Sequence, residues 1–368
     1  MNLNPVPILI SVVIHANIGG TATAVGDPPN IIITSNERVA QAGINFITFS
    51  AHMGVGVILC VIATAIFLRI VYRDKSKLKI VDNDEIEQEC VEWERALEEL
   101  DSCSSLHPLR DKIEAKLTQL RRQLHIQSSA NDPYEVKLKR MELLYPIKDM
   151  NLLLKSTAVL VLIIALFLIE SIPQIQCISP SGCALTGVII LLIISGKNDI
   201  DQVLAKVEWS TLIFFAGMFI TMEAVNRLGL IALIGEFTKY LILAVPKSYQ
   251  LLLAIAIILW VSGIVSAFVD SIPVTTMMVK ILAVIAENKE LALPLQPLIW
   301  ALAFGPCLGG NGTLVGASAN VVCSSVANRQ GYQISFIAFM KLGFPVMIVT
   351  LIVTNLYLIV AHSIFSWH

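Results

Sequence analysis

Two stretches of this chain break apolar, helix-length sequence with the same run of small and polar residues, and few folds accommodate such a break. Residues 307–322 read Cys-Leu-Gly-Gly-Asn-Gly-Thr-Leu-Val-Gly-Ala-Ser-Ala-Asn-Val-Val. Gly309, Gly310, Gly312 and Gly316 oppose an uninterrupted helix, each by roughly 1 kcal/mol against Ala. Residues 17–31 read Asn-Ile-Gly-Gly-Thr-Ala-Thr-Ala-Val-Gly-Asp-Pro-Pro-Asn-Ile. Laid without gaps on 307–321, Gly19, Gly20, Thr23, Val25, Gly26 and Asn30 fall on Gly309, Gly310, Thr313, Val315, Gly316 and Asn320. Irregular polar backbone at membrane depth is tolerated only where it is buried in protein or lines a watery cavity. Two interrupted hydrophobic segments in corresponding positions point to a transporter's binding site.

The charge distribution supports a membrane reading. Of the 368 residues 55% are hydrophobic and 15% charged, against about 25% charged in a soluble domain. Residues 69–149 hold 15 of the 26 Lys+Arg and 17 of the 28 Asp+Glu. The remainder contains repeated apolar runs near the ~20 residues that span a bilayer. A net charge of −2 gives no basic face for nucleic acid. The seven cysteines lack metal-ligand spacing. No nucleophile–base set indicates an enzyme, and no cofactor is expected.

Taken in order, Pro5–Ala16 is a half-helix entering a break over 17–30. Ile44–Tyr72 is a full span whose end carries Arg69, Arg73, Lys75, Lys77 and Lys79, which places that end in the cytoplasm. Residues 73–149 form a charged cytoplasmic loop with helix candidates over Glu85–Leu100 and Ile113–Leu124. Spans follow over Leu152–Ile169, Ala184–Ile194 and Trp209–Ala224. Leu228–Val245, interrupted by Glu236 and Lys239, suits an interfacial connector. Leu251–Val269 leads to the polar run 270–276, and Met277–Ala286 is only half a span long. A hairpin dipping to mid-membrane accounts for this. Pro297–Pro306 enters the second break, Val321–Ala327 leaves it, and Phe339–Ala361 is the last span. Counting crossings from the cytoplasmic loop sends the first broken segment outward and its twin inward, an inverted relation.

The fold expected is therefore an all-α polytopic membrane protein with inverted repeats, a re-entrant hairpin and discontinuous helices. Residues 1–72 are the end of a first repeat, 73–149 the loop, and 150–368 a second repeat. Residue 1 falls just before the first break, so the first repeat is expected to be incomplete. The chain then reads as the C-terminal part of a longer carrier, without transport on its own.

Half-helix N-termini suit anions, whereas unwound carbonyls and half-helix C-termini suit cations. The candidate ligands in the first break are Asn17, Thr21, Thr23, Gly26, Asp27 and Asn30. Those in the second are Asn311, Gly312, Thr313, Gly316, Ser318 and Asn320. The hairpin adds Asp270, Ser271, Pro273, Thr275 and Thr276. A carboxylate at membrane depth costs roughly 2.5–3.5 kcal/mol on insertion scales, so Asp270 stands out as a proton or Na+ carrier. A cap on the following half-helix is the alternative, and capping weighs more for Asp27, which precedes two prolines. Expected partners are the lipid bilayer, a small inorganic or carboxylate anion, a coupling Na+ or H+, and a second copy of the chain.

These residues resemble the ion transporter superfamily that includes arsenite efflux carriers, sodium/proton antiporters, and citrate and dicarboxylate carriers, and within it the P-protein-like members. The resemblance rests on Asn17-Ile-Gly-Gly-Thr-Ala through Gly26-Asp-Pro-Pro-Asn, Val207-Glu-Trp, Asp270-Ser-Ile-Pro, Ala301-Leu-Ala-Phe-Gly, Leu308-Gly-Gly-Asn-Gly-Thr through Ala319-Asn-Val-Val-Cys, and Gly343-Phe-Pro. It implies a secondary anion or Na+/H+-coupled carrier in a melanosome or endolysosomal membrane, acting on organelle pH. It maps the family's hairpin motif onto Asp270-Ser271-Ile272-Pro273, with Ser271 where similar proteins usually carry Asn. A chloride-type channel and a non-transporting membrane scaffold remain the alternative readings.

Overall fold

The computed structural model describes residues 4–74, 149–170, 180–195, 209–286, 293–329 and 332–365, with short pieces elsewhere. The helices expected over Glu85–Leu100 and Ile113–Leu124 lie largely outside the described residues, although 91–95 are helical. Among the described residues all regular structure is helical. In chain order the helices are α1 (Pro5–Gly20), α2 (Pro28–Thr34), α3 (Glu37–Gln41), α4 (Phe46–Val71), α5 (Met150–Glu170), α6 (Pro180–Ser195) and α7 (Trp209–Arg227). They continue with α8 (Leu230–Leu243), α9 (Lys247–Phe268), α10 (Ser271–Ala286), α11 (Leu295–Gly309), α12 (Ser318–Arg329) and α13 (Phe336–Leu358), the last running into a π-helical turn, Ile359–Ile364.

Among the described residues, four helices are long and apolar enough to cross a membrane: Phe46–Val71, Met150–Ile169, Lys247–Phe268 and Phe336–His362. Their ends are set locally. Asn45 and Thr48 form a reciprocal capping box at the start of α4, which satisfies donors that a helix start leaves open. The Ser335 side chain accepts from the Ala338 amide at the start of α13. The left-handed backbone of Gly229, with φ 79°, separates α7 from α8, a conformation in which glycine carries no steric cost. At 14 residues α8 is too short to span, as the charges at Glu236 and Lys239 imply.

The helices assemble around α11, of which Pro297–Gly309 is buried throughout. Where lipid surrounds a protein, apolar side chains gain little from leaving it, and close packing drives association instead. Small residues make that packing here. A Cβ added to Gly309 would run into the Gly263 backbone of α9, and one added to Gly305 would strike Ser262. The Ser266 hydroxyl donates to the Pro306 carbonyl at 2.9 Å, tying α9 to α11 beside an in-helix proline. On the opposite flank α4 approaches through Gly56, whose added Cβ would lie 3.1 Å from Tyr357 and closer still to Phe304. Tyr357 also donates to the His52 carbonyl at 2.7 Å.

Three sequence expectations change. The breaks are shorter than 17–30 and 307–320: α1 continues to Gly20 and α11 to Gly309, so Asn17 and Cys307 sit on the last turns of helices. The half-span expected over Met277–Ala286 begins earlier, at Ser271, so the polar run 271–276 forms the first turns of α10. The Thr275 and Thr276 hydroxyls fold back on the Ser271 and Ile272 carbonyls at 2.7 and 2.9 Å. Pro273 occupies the first turn, where a missing N–H costs nothing. Finally, α12 begins at Ser318, earlier than Val321.

Candidate functional site

Each break is closed by an asparagine that reaches back from the second half-helix. The Asn30 side-chain amide donates to the Thr23 carbonyl at 2.9 Å and the Gly20 carbonyl at 3.3 Å, and lies 3.5 Å from that of Thr21. Asn320 donates to the Thr313 carbonyl at 2.9 Å and the Gly310 carbonyl at 2.8 Å. The sequence separations are the same in both, seven and ten residues. A helix C-terminus leaves its last carbonyls without intrahelical partners, and these two amides supply them. Both asparagines are fully buried.

The backbone of the breaks repeats as well. Gly26 donates to Thr23 and Gly316 to Thr313, at 3.1 and 3.3 Å. An added Cβ on Gly26 would collide with the Gly20 carbonyl, and one on Gly316 would come within 2.8 Å of the Gly310 carbonyl. The glycines at these two positions therefore let the chain turn back against the end of the preceding half-helix.

The two breaks then meet. Asn17 donates from its side-chain amide to Asn311 Oδ1 and Asn320 Oδ1, both at 2.9 Å. In return the Cys307 thiol donates to Asn30 Oδ1 at 3.5 Å. The half-helices pair crosswise, α1 against α12 and α11 against α2. Cys323 on α12 contacts the Leu9 carbonyl of α1.

The hairpin enters from α9 and α10. Thr313 donates its hydroxyl to the Ala267 carbonyl at the end of α9. Asp270 accepts from the Ile272 amide at 3.0 Å, so it caps α10. Asp27 is different: it occupies the N-cap position of α2 but makes no capping bond. Its carboxylate instead faces the Cys307 thiol and lies within electrostatic reach of Asp270. Capping, weighed more heavily for Asp27, is thus made by Asp270 instead.

Thr21, Asn30, Ser271, Thr275, Asn311, Thr313 and Asn320 are each buried, as are Pro273, Gly312 and Gly316. Asn17, Thr23, Asp27, Asp270 and Thr276 are partly buried, whereas Gly26 and Ser318 are exposed. A groove lined by Leu314, Val321, Ser324, Ser325, Asn328 and Ser335 runs from the second break along one face of α12. Among the described residues no group of three or more His, Cys, Asp or Glu side chains could hold a metal ion.

Sequence reasoning missed Cys307 as a site residue, although the ungapped overlay that pairs the breaks also pairs it with Asn17. It also missed the Lys280–Glu223 pair, 2.7 Å apart between α10 and α7, which no local spacing could reveal.

A family model described as Citrate transporter matches residues 1–305. The chain belongs to the citrate transporter family. P protein of Sus scrofa is 39% identical over the whole chain, and P protein of Homo sapiens is 39% identical over the same extent. The chain spans 45% of the length of each. An uncharacterized transporter of Mycobacterium tuberculosis is 30% identical across the whole chain, which covers 70% of that protein.

Proposed function

We propose that this chain carries part of the translocation machinery of a secondary carrier for a small inorganic or carboxylate anion, coupled to Na+ or H+. The observation that carries the reading is the reciprocal contact between the two breaks, Asn17 to Asn320 and Cys307 to Asn30. It brings interrupted backbone from both ends of the chain to one place, where discontinuous helices form transporter sites. The crosswise pairing of half-helices supports an inverted relation between 1–72 and 150–368, and the groove along α12 supplies an approach to the second break. Asp27, spared from capping, is the coupling carboxylate in this reading. Ser271, Thr275 and Asp270, at the start of α10, belong to the same site in this reading. Residence in an organelle membrane, with control of its pH, belongs to the same proposal and rests on the similarity to P protein.

The test is flux in proteoliposomes containing the full-length protein. Uptake of citrate or phosphate is expected to saturate and to follow an imposed Na+ or pH gradient. Asp27→Asn is expected to remove the gradient dependence. Unitary currents without saturation, or unchanged coupling in Asp27→Asn, refute the proposal.

A further inference from the structure

A second polar cluster lies away from the breaks, where the start of α4 meets the start of α11 and the end of α13. His52, on the second turn of α4, is buried. Its ring stacks on Trp300 of α11, with centroids 4.6 Å apart and planes 8° from parallel. It stacks as well on Trp367, at 4.1 Å and 23°. Trp367 belongs to the tail beyond the π-helical turn Ile359–Ile364, and its amide folds back to the Ala361 carbonyl at 2.9 Å. Short π-helical turns occur frequently at functional sites.

Both nitrogens of the His52 ring face backbone carbonyls. Nδ1 lies 3.0 Å from the Thr48 oxygen and Nε2 3.4 Å from the Trp367 oxygen. A carbonyl only accepts, and a neutral imidazole offers one N–H and one lone pair. The neutral ring can therefore satisfy one carbonyl and sets its lone pair against the other. The imidazolium donates to both, and it is also the form that an indole face attracts. Which protons an imidazole carries is read from its partners, and here the partners select the cation.

Little else nearby titrates. No Asp, Glu, Lys or Arg occurs in 46–60, 297–309 or 350–367. The Tyr357 hydroxyl is committed to the His52 carbonyl. The ring of His362, on the π-helical turn, lies 5.7 Å from that of His52 and nearly parallel to it, so a proton on one opposes a second proton on the other. Of the neighbouring helices, α9 packs on the π-helical turn and carries Lys247 and Tyr249, both exposed, at its start. Helix α1 packs on α4, with the His15 ring turned to the Ser11 carbonyl at 2.7 Å. Helix α5 meets α4 where Phe167 stacks on Phe46, three residues before Glu170 in sequence. His368 follows Trp367 in sequence.

We infer that His52 is a proton-binding site, separate from the breaks, whose imidazolium latches the C-terminal tail onto the start of α11. Loss of the proton leaves one carbonyl facing a lone pair, and the contact that yields is the longer one, to Trp367 in the tail. Protonation thus joins α4, α11 and the tail, and α11 is the helix that runs into the second break. The site lies at the end of α4 away from Arg69 and Arg73, which the positive-inside bias sets toward the cytoplasm. The proton then comes from the opposite, outer or lumenal, compartment. None of this depends on what the breaks carry.

Hydrogen exchange of the purified full-length protein in detergent tests this. It is read by mass spectrometry over a peptide covering 357–368 and corrected for the intrinsic exchange rate. The comparison is between about pH 5.5 and pH 8, the range in which histidine changes charge. In the wild type this peptide is expected to be about tenfold better protected at the acid end. His52→Gln, which keeps a donor but cannot gain a proton, is expected to show equal protection at both. Melting temperature gives an independent reading. The advantage of the wild type over His52→Gln is expected to shrink as the pH rises, and deletion of 365–368 to make it independent of pH. Equal protection of the wild-type tail at the two pH values overturns the inference, whether or not any variant folds. So does a pH-dependent protection that survives in His52→Gln. If His362→Gln or His368→Ala abolishes it while His52→Gln does not, the proton belongs to that histidine and the assignment to His52 is wrong.

Discussion

Asn17 donates to Asn320 across the two broken helices, and Cys307, which occupies the position equivalent to Asn17, donates to Asn30, the equivalent of Asn320. The two bonds are one interaction made twice in opposite senses, with an amide in one copy and a thiol in the other. The thiol version is longer, 3.5 against 2.9 Å, and a thiol is the weaker donor. Cys307→Asn is therefore expected to strengthen the contact if the extra volume fits and to clash if it does not. Cys307→Ser keeps the donor in a smaller side chain. It is expected to retain flux, whereas Cys307→Ala, which leaves Asn30 Oδ1 without this donor, lowers it severalfold. Equal flux in the Ser and Ala variants counts against a role for the bond.

Asn30 and Asn320 close their breaks by identical reach, so their loss has comparable consequences. Alanine at either position strips at least two carbonyls of their side-chain donor. With a net worth of about 1 kcal/mol per bond, and more where the carbonyl stays buried, each substitution is expected to cost about 2–4 kcal/mol. Thermal unfolding in detergent measures it. Asn320→Ala is expected to be the worse of the two, because it strips the Asn17 amide of an acceptor at 2.9 Å, whereas Asn30→Ala strips only the weaker Cys307 thiol at 3.5 Å.

The first and second breaks differ sharply in how they are packed. Gly309 lies so close to α9 that an added Cβ would be 2.7 Å from Gly263 Cα, while an added Cβ on its equivalent, Gly19, meets nothing within 4 Å. Gly309→Ala is expected to destabilise by about 1–3 kcal/mol, the usual range for overpacking. Gly19→Ala should be neutral or stabilising by up to about 1 kcal/mol, since alanine suits a helix better than glycine. Comparable losses of melting temperature in both variants would show that Gly19 is packed as tightly as Gly309.

Much of this architecture was legible in the sequence because lipid imposes length. The apolar runs containing α4, α5, α9 and α13 could be read directly, and the breaks declared themselves through their matching glycines and asparagines. What could not be read was where each half-helix stops. Gly20 and Gly309 remain helical because Asn30 and Asn320, ten or more residues further on, cap the carbonyls that follow, and helix propensity alone carries no trace of such a partner. The two aspartates were weighed from their neighbours in sequence. Asp27 precedes prolines and reads as a cap, yet it is Asp270 that caps, because the Ile272 amide falls within its reach.

That distinction separates the two carboxylates experimentally. Asparagine caps a helix about as well as aspartate, so Asp270→Asn is expected to leave the melting temperature nearly unchanged. Asp270→Ala removes the cap and should cost about 1 kcal/mol. Asp27 has no cap to lose, so neither Asp27→Asn nor Asp27→Ala is expected to weaken α2 by that route. A loss of stability in Asp27→Ala matching that of Asp270→Ala contradicts the assignment of roles.

The pair formed by Lys280 and Glu223 offers the last test. Lys280 lies on α10, the helix that begins at the hairpin tip, and its ammonium sits 2.7 Å from the Glu223 carboxylate on α7. Glu223 also takes a 3.2 Å bond from Arg227 within its own helix. The bond joins α10 to α7 through side chains that are only partly buried, and it fixes which face of α10 turns toward α7. Glu223→Lys sets like charges together and is expected to reduce the folded protein recovered in mild detergent severalfold. Adding Lys280→Glu restores opposite charges, and recovery should rise again, though not fully, because Arg227 then faces a like charge one turn away on its own helix. If the double variant recovers no better than Glu223→Lys alone, the hairpin is held by its apolar packing and the ion pair is incidental to it.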